Sequence, residues 1–154
     1  MSYFGYGSNM NHQQMKRRCP GSKFITRVRL DGFRFGYDGH STIRGGAVAN
    51  ILESSVPGAM VWGGLFEVTE PDLAILDRYE GYPRSYRRII VTVRDDRGVT
   101  YEAIVYCRTG EVPGEPSEKY RAVIIQGAKD CGLPDTYITS TLGGRPTSNA
   151  SRAQ

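Results

Sequence analysis

The sequence predicts an α+β fold, and three observations predict it. Strand-forming segments follow one another in the first half without a helix between them, an alternating pair of segments comes later, and helical segments stand apart from both. The predicted early strands are Lys23 to Leu30, Phe33 to Tyr37, Gly46 to Leu52 and Met60 to Val68. This order differs from the regular strand-helix alternation of an α/β fold.

The N-terminal segment predicts a short strand that runs into a tight loop and then a helix. It opens on aromatic residues and breaks into small, turn-forming ones by Gly7 and Ser8. Good helix formers follow from Asn11 to Cys19, and Pro20 and Gly21 end the helix. A glycine-containing turn at a helix N-terminus presents unpaired backbone N–H groups, so this loop is a predicted seat for a carboxylate or an oxyanion.

Turn residues mark two predicted hairpins. Asp31-Gly32 has the composition of a hairpin turn between the first two predicted strands. The second turn, 95–98, separates Tyr86 to Arg94 from Thr100 to Tyr106. In the first of these segments Ile89, Val91 and Val93 alternate with Ile90 and Thr92.

A central helix is predicted over about residues 70–80. Thr69 and Asp72 form a capping pair with Pro71 in the first turn, and Gly81 and Pro83 are stop signals. Glu80 would therefore be the last helical residue.

Glu80 is the strongest catalytic candidate, because Leu73, Leu76 and Glu80 are spaced i, i+3, i+7 on one inward stripe. Burial raises the pKa of a carboxyl group, and the negative end of the helix dipole acts in the same direction. Such an acid suits proton transfer near neutral pH. The alternatives are that Glu80 pairs with a nearby arginine or bends out to solvent. The candidate arginines are Arg84, Arg87 and Arg88.

The C-terminal part predicts two helices and a tail. The first helix runs from Ser117 to Cys131, with Tyr120, Ile124 and Ala128 on one face, so that Tyr120 is either a core aromatic or a pocket residue. A short helix follows over 134–142. We expect one domain over 1–142 and a floppy polar tail over 143–154.

Composition favours a single globular domain. The 154 residues are 39% apolar and 10% aromatic, which is enough for one core. No apolar run is long enough to span a bilayer and no signal sequence opens the chain, so we expect a cytoplasmic protein without membrane contact. Cys19, Cys107 and Cys131 are odd in number and widely spaced, which predicts reduced thiols and neither zinc nor disulfides.

The basic charge does not by itself indicate nucleic-acid binding. The net charge is +4 and the pI is about 9.0, but no nucleic-acid-binding module is present. We interpret the arginines as mostly solvated surface, although some would attract an anionic substrate. The arginines that would form a basic patch are Arg17, Arg18, Arg84, Arg87 and Arg88.

Two other chemistries are not supported by the N-terminal loop. Gly5-Tyr6-Gly7 begins like a dinucleotide fingerprint, but Met10 replaces the third glycine. Ser8 does not lie in a G-x-S-x-G elbow, and His12 and His40 have no acidic partner at a recognisable offset. A serine hydrolase is therefore not expected.

Taken together, several segments resemble the γ-glutamylcyclotransferase family. The resemblance extends from Tyr3 to about Leu142, and its specific parts are the tyrosine-glycine-serine loop and the Glu80-Gly81 pair. The matching segments are 3–9, 44–51, 61–64, 76–81, 117–120 and 127–128.

The resemblance implies a small mixed β-barrel-like sheet surrounded by helices. It also implies an enzyme that converts a γ-glutamyl amide into 5-oxoproline and a free amine, without metal or organic cofactor. Its partner would be the small-molecule γ-glutamyl substrate, and the chain would be a monomer or homodimer. The matching acid/base is Glu80, and the matching pocket residues are Tyr3, Phe4, Gly5, Tyr6, Gly7, Ser8, Asn9, Tyr86, Tyr106 and Tyr120.

The sequence leaves alternatives open for both the activity and the leaving group. The same fold would serve a non-catalytic or regulatory protein that binds a small acidic metabolite, since a fold does not fix an activity. The leaving group would be an amino acid, an amine, the cysteinylglycine of glutathione or a γ-glutamyl-protected biosynthetic intermediate. The resemblance is greatest to the branch that acts on γ-glutamyl amino acids.

Overall fold

A closed barrel of five strands lies at the centre of the computed structural model, which describes residues 1–110 and 112–143. Around the barrel the strand order is β1-β5-β2-β6-β7, and β3 and β4 form a separate two-stranded sheet. The strands are β1 Ser2–Gly5, β2 Lys23–Asp31, β3 Phe33–Ser41, β4 Gly46–Glu53, β5 Met60–Glu67, β6 Arg87–Arg94 and β7 Thr100–Cys107. The predicted α+β class with a barrel-like sheet is confirmed.

Closure of the barrel depends on β1, which pairs antiparallel with β5 and parallel with β7. The parallel contact joins Tyr3 to Ile104. As a result, the loop that follows β1 emerges beside the end of β7, which carries Tyr106.

The helices lie at the predicted places. They are α1 His12–Arg18, α2 Glu70–Glu80, α3 Glu118–Asp130 and α4 Asp135–Tyr137, which continues as a π-helical turn at Ile138–Leu142. A short 3₁₀ turn, Ser8–Met10, precedes α1. The capping box of α2 forms as predicted, with Thr69 Oγ1 accepting from the Asp72 N–H and Asp72 accepting from the Thr69 N–H.

One predicted hairpin is wrong. Gly32 makes a tight turn with φ +81°, but β2 pairs with β5 and β3 pairs with β4, so the strands on either side of Gly32 are not partners. The Gly32 N–H instead donates to the carbonyl of Ala59 at 3.0 Å. Turn composition marks where a chain reverses, but it does not specify which strand the next one will pair with.

The second hairpin is confirmed, with β6 and β7 antiparallel along their whole length. Asp95 closes its turn, because one carboxylate oxygen accepts from the N–H groups of Arg97 at 2.9 Å and Val99 at 3.0 Å. The Asp95 carboxylate also accepts hydrogen bonds from the Arg97 and Tyr101 side chains. These side-chain bonds, together with the two backbone bonds, outweigh the burial of the carboxyl group and hold its pKa at about 2.

Helix α3 approaches the N-terminal loop closely through Gly127. A Cβ built there would lie 2.6 Å from the backbone carbon of Met10 and would also overlap the backbone of Asn11. The absence of a side chain at 127 therefore allows α3 to hold the 3₁₀ turn in place.

Three further predictions concern membrane contact, the cysteines and the C-terminal tail. Within the part of the chain that the structure describes, no helix is long and apolar enough to cross a membrane. Cys19, Cys107 and Cys131 are buried and free of disulfides. Except for Gly143, the predicted tail lies outside the described residues.

Candidate active site

A cavity of about 910 Å³ opens where several parts of the chain meet. Four of these parts carry residues from the segments on which the family resemblance rests: the loop after β1, the C-terminal end of α2, the connection between β3 and β4, and the first turn of α3. The cavity therefore brings together segments that are distant in the sequence.

Glu80 is the last residue of α2 and lines this cavity. Gly81 ends the helix in a left-handed conformation with φ +69°, which a residue with a side chain rarely adopts. The stripe that directs Glu80 inward is present, since Leu76 is completely buried and Leu73 is partly buried. Glu80 itself is half-buried.

Burial of its carboxyl group raises the pKa of Glu80 to about 7, although the positive charges of Arg18 and Arg44 oppose this rise. Glu80 forms no hydrogen bond or ion pair with any other described residue. It is therefore an acid that changes protonation state near neutral pH, and both its oxygens are available to a ligand.

The predicted alternative partners of Glu80 are engaged elsewhere or exposed. Arg88 binds both oxygens of Asp77, at 2.6 and 2.8 Å, and Arg84 and Arg87 are exposed to solvent. The alternative of an ion pair between Glu80 and one of these arginines is therefore wrong.

The N-terminal loop forms one wall of the cavity, but two of its predicted pocket residues do not reach it. Phe4 is completely buried in the core, because successive residues of a strand point to opposite faces. Gly5 is buried, and a Cβ built there would contact the rings of Tyr3 and Phe66 at 3.4 and 3.5 Å instead of facing the cavity. We therefore correct the expectation for Phe4 and Gly5. The loop residues that line the cavity are Tyr3, Tyr6, Gly7, Ser8 and Asn9.

Asn9 links this wall to α1. Its side-chain N–H donates to the Tyr3 hydroxyl at 3.0 Å, and its carbonyl oxygen accepts from Gln14 at 3.0 Å and from Arg18 at 3.1 Å. The Ser8 hydroxyl accepts from the same Gln14 at 2.9 Å. These bonds fix the side chains of the loop before any ligand arrives.

The three predicted tyrosines from later in the chain also line the cavity. They are Tyr86 just before β6, Tyr106 on β7 and Tyr120 on α3. Tyr106 donates its hydroxyl proton to Asp77 at 2.6 Å, so its oxygen is directed toward the Asp77–Arg88 pair. Tyr120 lines the cavity and is also buried in the core, so it is both a pocket residue and a core aromatic.

Four arginines line the cavity, and none of them was predicted as a site residue; they are Arg18, Arg44, Arg78 and Arg108. The Arg18 guanidinium lies 3.8 Å from the ring centre of Tyr79, and the Arg44 guanidinium lies 4.8 Å from that of Tyr120. Neither forms an ion pair with a carboxylate of the described residues. Burial and the charge of Arg44 lower the pKa of Arg18, so the two positive charges act on each other across the site.

The sequence provided more reason to expect Arg44 in the cavity than Arg18. Arg44 opens one of the segments on which the family resemblance rests. The charge analysis included Arg18 in a group of arginines interpreted as mostly solvated surface, some of which would attract an anionic substrate. The structure instead places Arg18 half-buried against the cavity, because α1 packs beside the end of α2. No local pattern around Arg18 indicates this position.

Arg108, which also lines the cavity, belongs to a buried polar cluster. Its guanidinium binds Asp38 at 2.6 Å, and Asn50 bonds to Asp38 and to the Arg108 backbone. Since this charge is already neutralised, Arg18 and Arg44 are the more available cations. No cluster of histidine, cysteine and carboxylate side chains suited to a metal ion occurs among residues 1–110 and 112–143.

Comparisons with known proteins agree with this geometry. Residues 60–141 match the AIG2-like family. The γ-glutamylcyclotransferases of Bos taurus and Homo sapiens are each 34% identical to this chain over 140 residues, covering 88% of this chain and 73% of each relative. A solved structure described as a gamma-glutamyl cyclotransferase is 30% identical, with a TM-score of 0.87 over 94% of this chain and 87% of its own.

The fold and the arrangement of the cavity thus define a barrel protein with one acidic side chain in a pocket rich in tyrosine. The chain belongs to the γ-glutamylcyclotransferase family.

Proposed function

We propose that this protein is a γ-glutamylcyclotransferase that cleaves γ-glutamyl amino acids or amides and releases 5-oxoproline with a free amine. The observation that carries the proposal is the state of Glu80, which lines the cavity unpaired among the described residues and has a pKa of about 7. Family membership supports the same activity.

The proposed reaction is an intramolecular acyl transfer. The α-amine of the substrate attacks its own γ-carbonyl, so the nucleophile and the electrophile are already joined by the glutamyl chain. The task of the protein is to hold that chain in a curled geometry, and such positioning supplies a large part of a rate enhancement. The walls formed by Tyr3, Tyr6 and Tyr86 are suited to enclosing a chain of this length.

Glu80 acts twice in this scheme. Its carboxylate first takes a proton from the ammonium group of the substrate, and the resulting acid then protonates the departing nitrogen. A pKa near neutrality suits both steps, because the group gains and loses a proton with little cost at cellular pH. One carboxyl group is therefore sufficient.

The positive charges of the cavity are proposed to bind the anionic part of the substrate. Arg18 and Arg44 approach the loop, where they donate to Asn9 at 3.1 Å and to Ser8 at 3.3 Å. Guanidinium groups form strong hydrogen bonds with carboxylates. Arg18 is proposed to bind the α-carboxylate that every γ-glutamyl compound carries, and Arg44 the carboxylate of a leaving amino acid. The backbone N–H groups of Gly7, Ser8 and Asn9 are proposed as further donors.

We further propose that the protein is cytoplasmic, that it is a monomer or homodimer, and that its catalytic domain spans residues 1–142. The identity of the leaving amine depends on the outer part of the cavity, where the residues 40–44 form the wall. γ-Glutamyl amino acids are the proposed substrates, with glutathione and γ-glutamyl amines as the compounds to compare.

The test is a mass-spectrometric assay of 5-oxoproline with the wild-type protein and Glu80→Gln. We expect the wild type to release 5-oxoproline and Glu80→Gln to be at least about 100-fold slower, because general acid–base catalysis contributes that much. Glu53→Gln, which changes an exposed carboxylate on β4, is the matched control and should retain wild-type activity.

Two results would contradict the proposal. Wild-type activity in Glu80→Gln would remove the assigned acid/base. A wild-type protein that binds γ-glutamyl compounds but turns over none of them would instead support the non-catalytic binding protein.

A further inference from the structure

The hydroxyl groups of the five predicted cavity tyrosines differ in how each uses its single proton. A phenol has one proton to donate and can also accept hydrogen bonds. Tyr6 donates to the carbonyl of Tyr106 at 2.5 Å, Tyr86 donates to the carbonyl of Ala49 at 2.7 Å, and Tyr106 donates to Asp77 at 2.6 Å. These three protons are committed to the protein and are not available to a ligand.

The hydroxyl groups of Tyr120 and Tyr3 have the opposite role, because their oxygens accept hydrogen bonds from the protein. The Ala49 N–H donates to the Tyr120 hydroxyl at 3.0 Å, and the Asn9 side chain donates to the Tyr3 hydroxyl at 3.0 Å. No described residue accepts a proton from either hydroxyl. Both side chains line the cavity, so these two protons can be donated to a bound molecule.

The backbone of Ala49 decides the roles of two of these tyrosines. Its N–H faces Tyr120 and its carbonyl faces Tyr86. A backbone N–H only donates and a carbonyl only accepts, so Tyr120 must be the acceptor and Tyr86 the donor. The difference follows from the chain direction of β4 and does not depend on an assigned hydrogen position.

Tyr120 is better suited than Tyr3 to stabilise negative charge. Burial, with a smaller effect of the Glu80 charge, raises the pKa of Tyr120 to about 12, and the Ala49 N–H, Arg44 and Arg18 oppose this rise. Burial raises the pKa of Tyr3 further. The Arg44 guanidinium also faces the Tyr120 ring at 4.8 Å. A phenol with the lower pKa donates the stronger hydrogen bond to a developing anion.

We infer that the Tyr120 hydroxyl is the oxyanion donor of the reaction, with Ala49 N–H holding it in the donating orientation. This inference rests on the proposed cyclotransferase function. As the amine nitrogen bonds to the γ-carbon, the carbonyl electron pair moves to oxygen, which accepts a hydrogen bond from Tyr120. When that pair returns, the bond to the leaving nitrogen breaks and Glu80 supplies that nitrogen with a proton. The second proton of the attacking nitrogen passes to the released amine, which departs as an ammonium group, and Glu80 is again a carboxylate. Tyr120 keeps its own proton throughout.

The test compares steady-state kinetics of 5-oxoproline release for Tyr120→Phe, Tyr3→Phe and Tyr101→Phe. Tyr101 donates to Asp95 in the β6–β7 turn and does not line the cavity, so Tyr101→Phe is the matched loss of a hydroxyl. We expect Tyr120→Phe to lower kcat by about 100- to 1,000-fold with little change in KM, since an oxyanion donor acts only in the transition state. Tyr101→Phe should retain the wild-type kcat.

A second measurement does not depend on removing the hydroxyl. Fluorinated tyrosine placed at 120 keeps the shape of the side chain but lowers its pKa, so the hydroxyl ionises and stops donating at lower pH. We expect kcat to decline at high pH, with the midpoint of this decline moving downward in the fluorinated protein. A merely structural Tyr120 would leave that midpoint unchanged.

The outcomes separate the two proposals. If the wild type is active but Tyr120→Phe keeps its kcat, or if Tyr3→Phe alone shows the loss, the assignment of Tyr120 is overturned and the cyclotransferase function stands. If the wild type releases no 5-oxoproline, the function itself fails.

Discussion

Asp77 binds Arg88 at 2.6 Å, and this pair leaves Glu80, at the end of the same helix, without a cationic partner in hydrogen-bonding contact among the described residues. Asp77 also accepts the hydroxyl proton of Tyr106 at 2.6 Å. Two carboxylates three residues apart on α2 thus have different environments: one is paired, and the other is held in the cavity with a raised pKa. A difference of this kind is what separates a structural acid from a catalytic one.

The first prediction concerns the pH dependence of catalysis. Since Glu80 must be ionised to accept a proton from the substrate, kcat/KM should rise with pH through an apparent pKa of about 7. A pH series of kcat/KM for the wild-type protein and Glu80→Gln measures this. A midpoint near 4.5, the ordinary value for glutamate, would show that the carboxyl group is not buried in solution.

The second prediction concerns stability. A carboxyl group whose pKa is raised on folding stabilises the folded state fully below its unfolded value of 4.5, and this contribution is lost as the pH rises through about 7. The difference corresponds to at most about 3 kcal/mol. Glu80→Gln should therefore have a higher free energy of unfolding than the wild type at pH 8, with the gap closing toward pH 4.5.

Urea unfolding of both proteins at pH 8 and pH 4.5 measures this gap. The control Glu53→Gln changes an exposed residue and should show no comparable gap at either pH. A Glu80→Gln protein that is less stable than the wild type at pH 8 would contradict the raised pKa.

The third prediction concerns the choice of substrate. Arg44 lies on the connection between β3 and β4, at the edge of the cavity that we assign to the leaving group. A γ-glutamyl amino acid carries a carboxylate on its leaving group, whereas a γ-glutamyl amine does not. Arg44→Gln should raise KM by about tenfold or more for the amino acid substrate and by less for the amine, because a charge-assisted hydrogen bond is lost only in the first case.

Arg17→Gln is the control for this comparison, because Arg17 carries the same charge but is exposed on α1 and does not line the cavity. Equal increases in KM for both substrates would assign Arg44 to the α-carboxylate, which the two compounds share. An unchanged KM would remove Arg44 from substrate binding.

The fourth prediction concerns the support of the N-terminal loop. Gly127→Ala would bring a Cβ against the backbone of Met10 and Asn11, which cannot move aside as a flexible side chain can. Overpacking of this kind costs roughly 1–3 kcal/mol, so the free energy of unfolding should fall by about that amount, and activity should fall with it. Gly36→Ala is the control, since its added Cβ would meet only Arg34 at 3.9 Å. Wild-type stability in Gly127→Ala would show that α3 does not hold the turn.

Predictions that depended on neighbouring residues were accurate. The boundaries of α2 agree with the structure because Thr69, Asp72 and Gly81 act within one turn of the helix ends they define. The β6–β7 hairpin agrees for the same reason. The hairpin at Gly32 failed because β2 found its partner in β5, and a pairing across such a distance depends on how the whole barrel closes.

The same distinction applies to the candidate site. The spacing of Leu76 and Glu80 was enough to direct a carboxylate inward, and the family resemblance was enough to select the tyrosines. Neither indicated that Phe4 turns into the core or that Arg18 faces the cavity, since both depend on the packing of α1 and β1 against other elements.

By itself, the sequence determined that an acid lies at the end of a capped helix, on the stripe that must be buried, and after a strand and loop rich in tyrosine and glycine. Only the tertiary structure decided that this acid has no hydrogen-bonding or ion-pair partner among the described residues, that the charges of Arg18 and Arg44 act on it across the cavity, and that the Ala49 backbone leaves the proton of Tyr120 free. Helix periodicity and capping act over a few residues, whereas desolvation, long-range charge and hydrogen-bond direction depend on which distant segments come together.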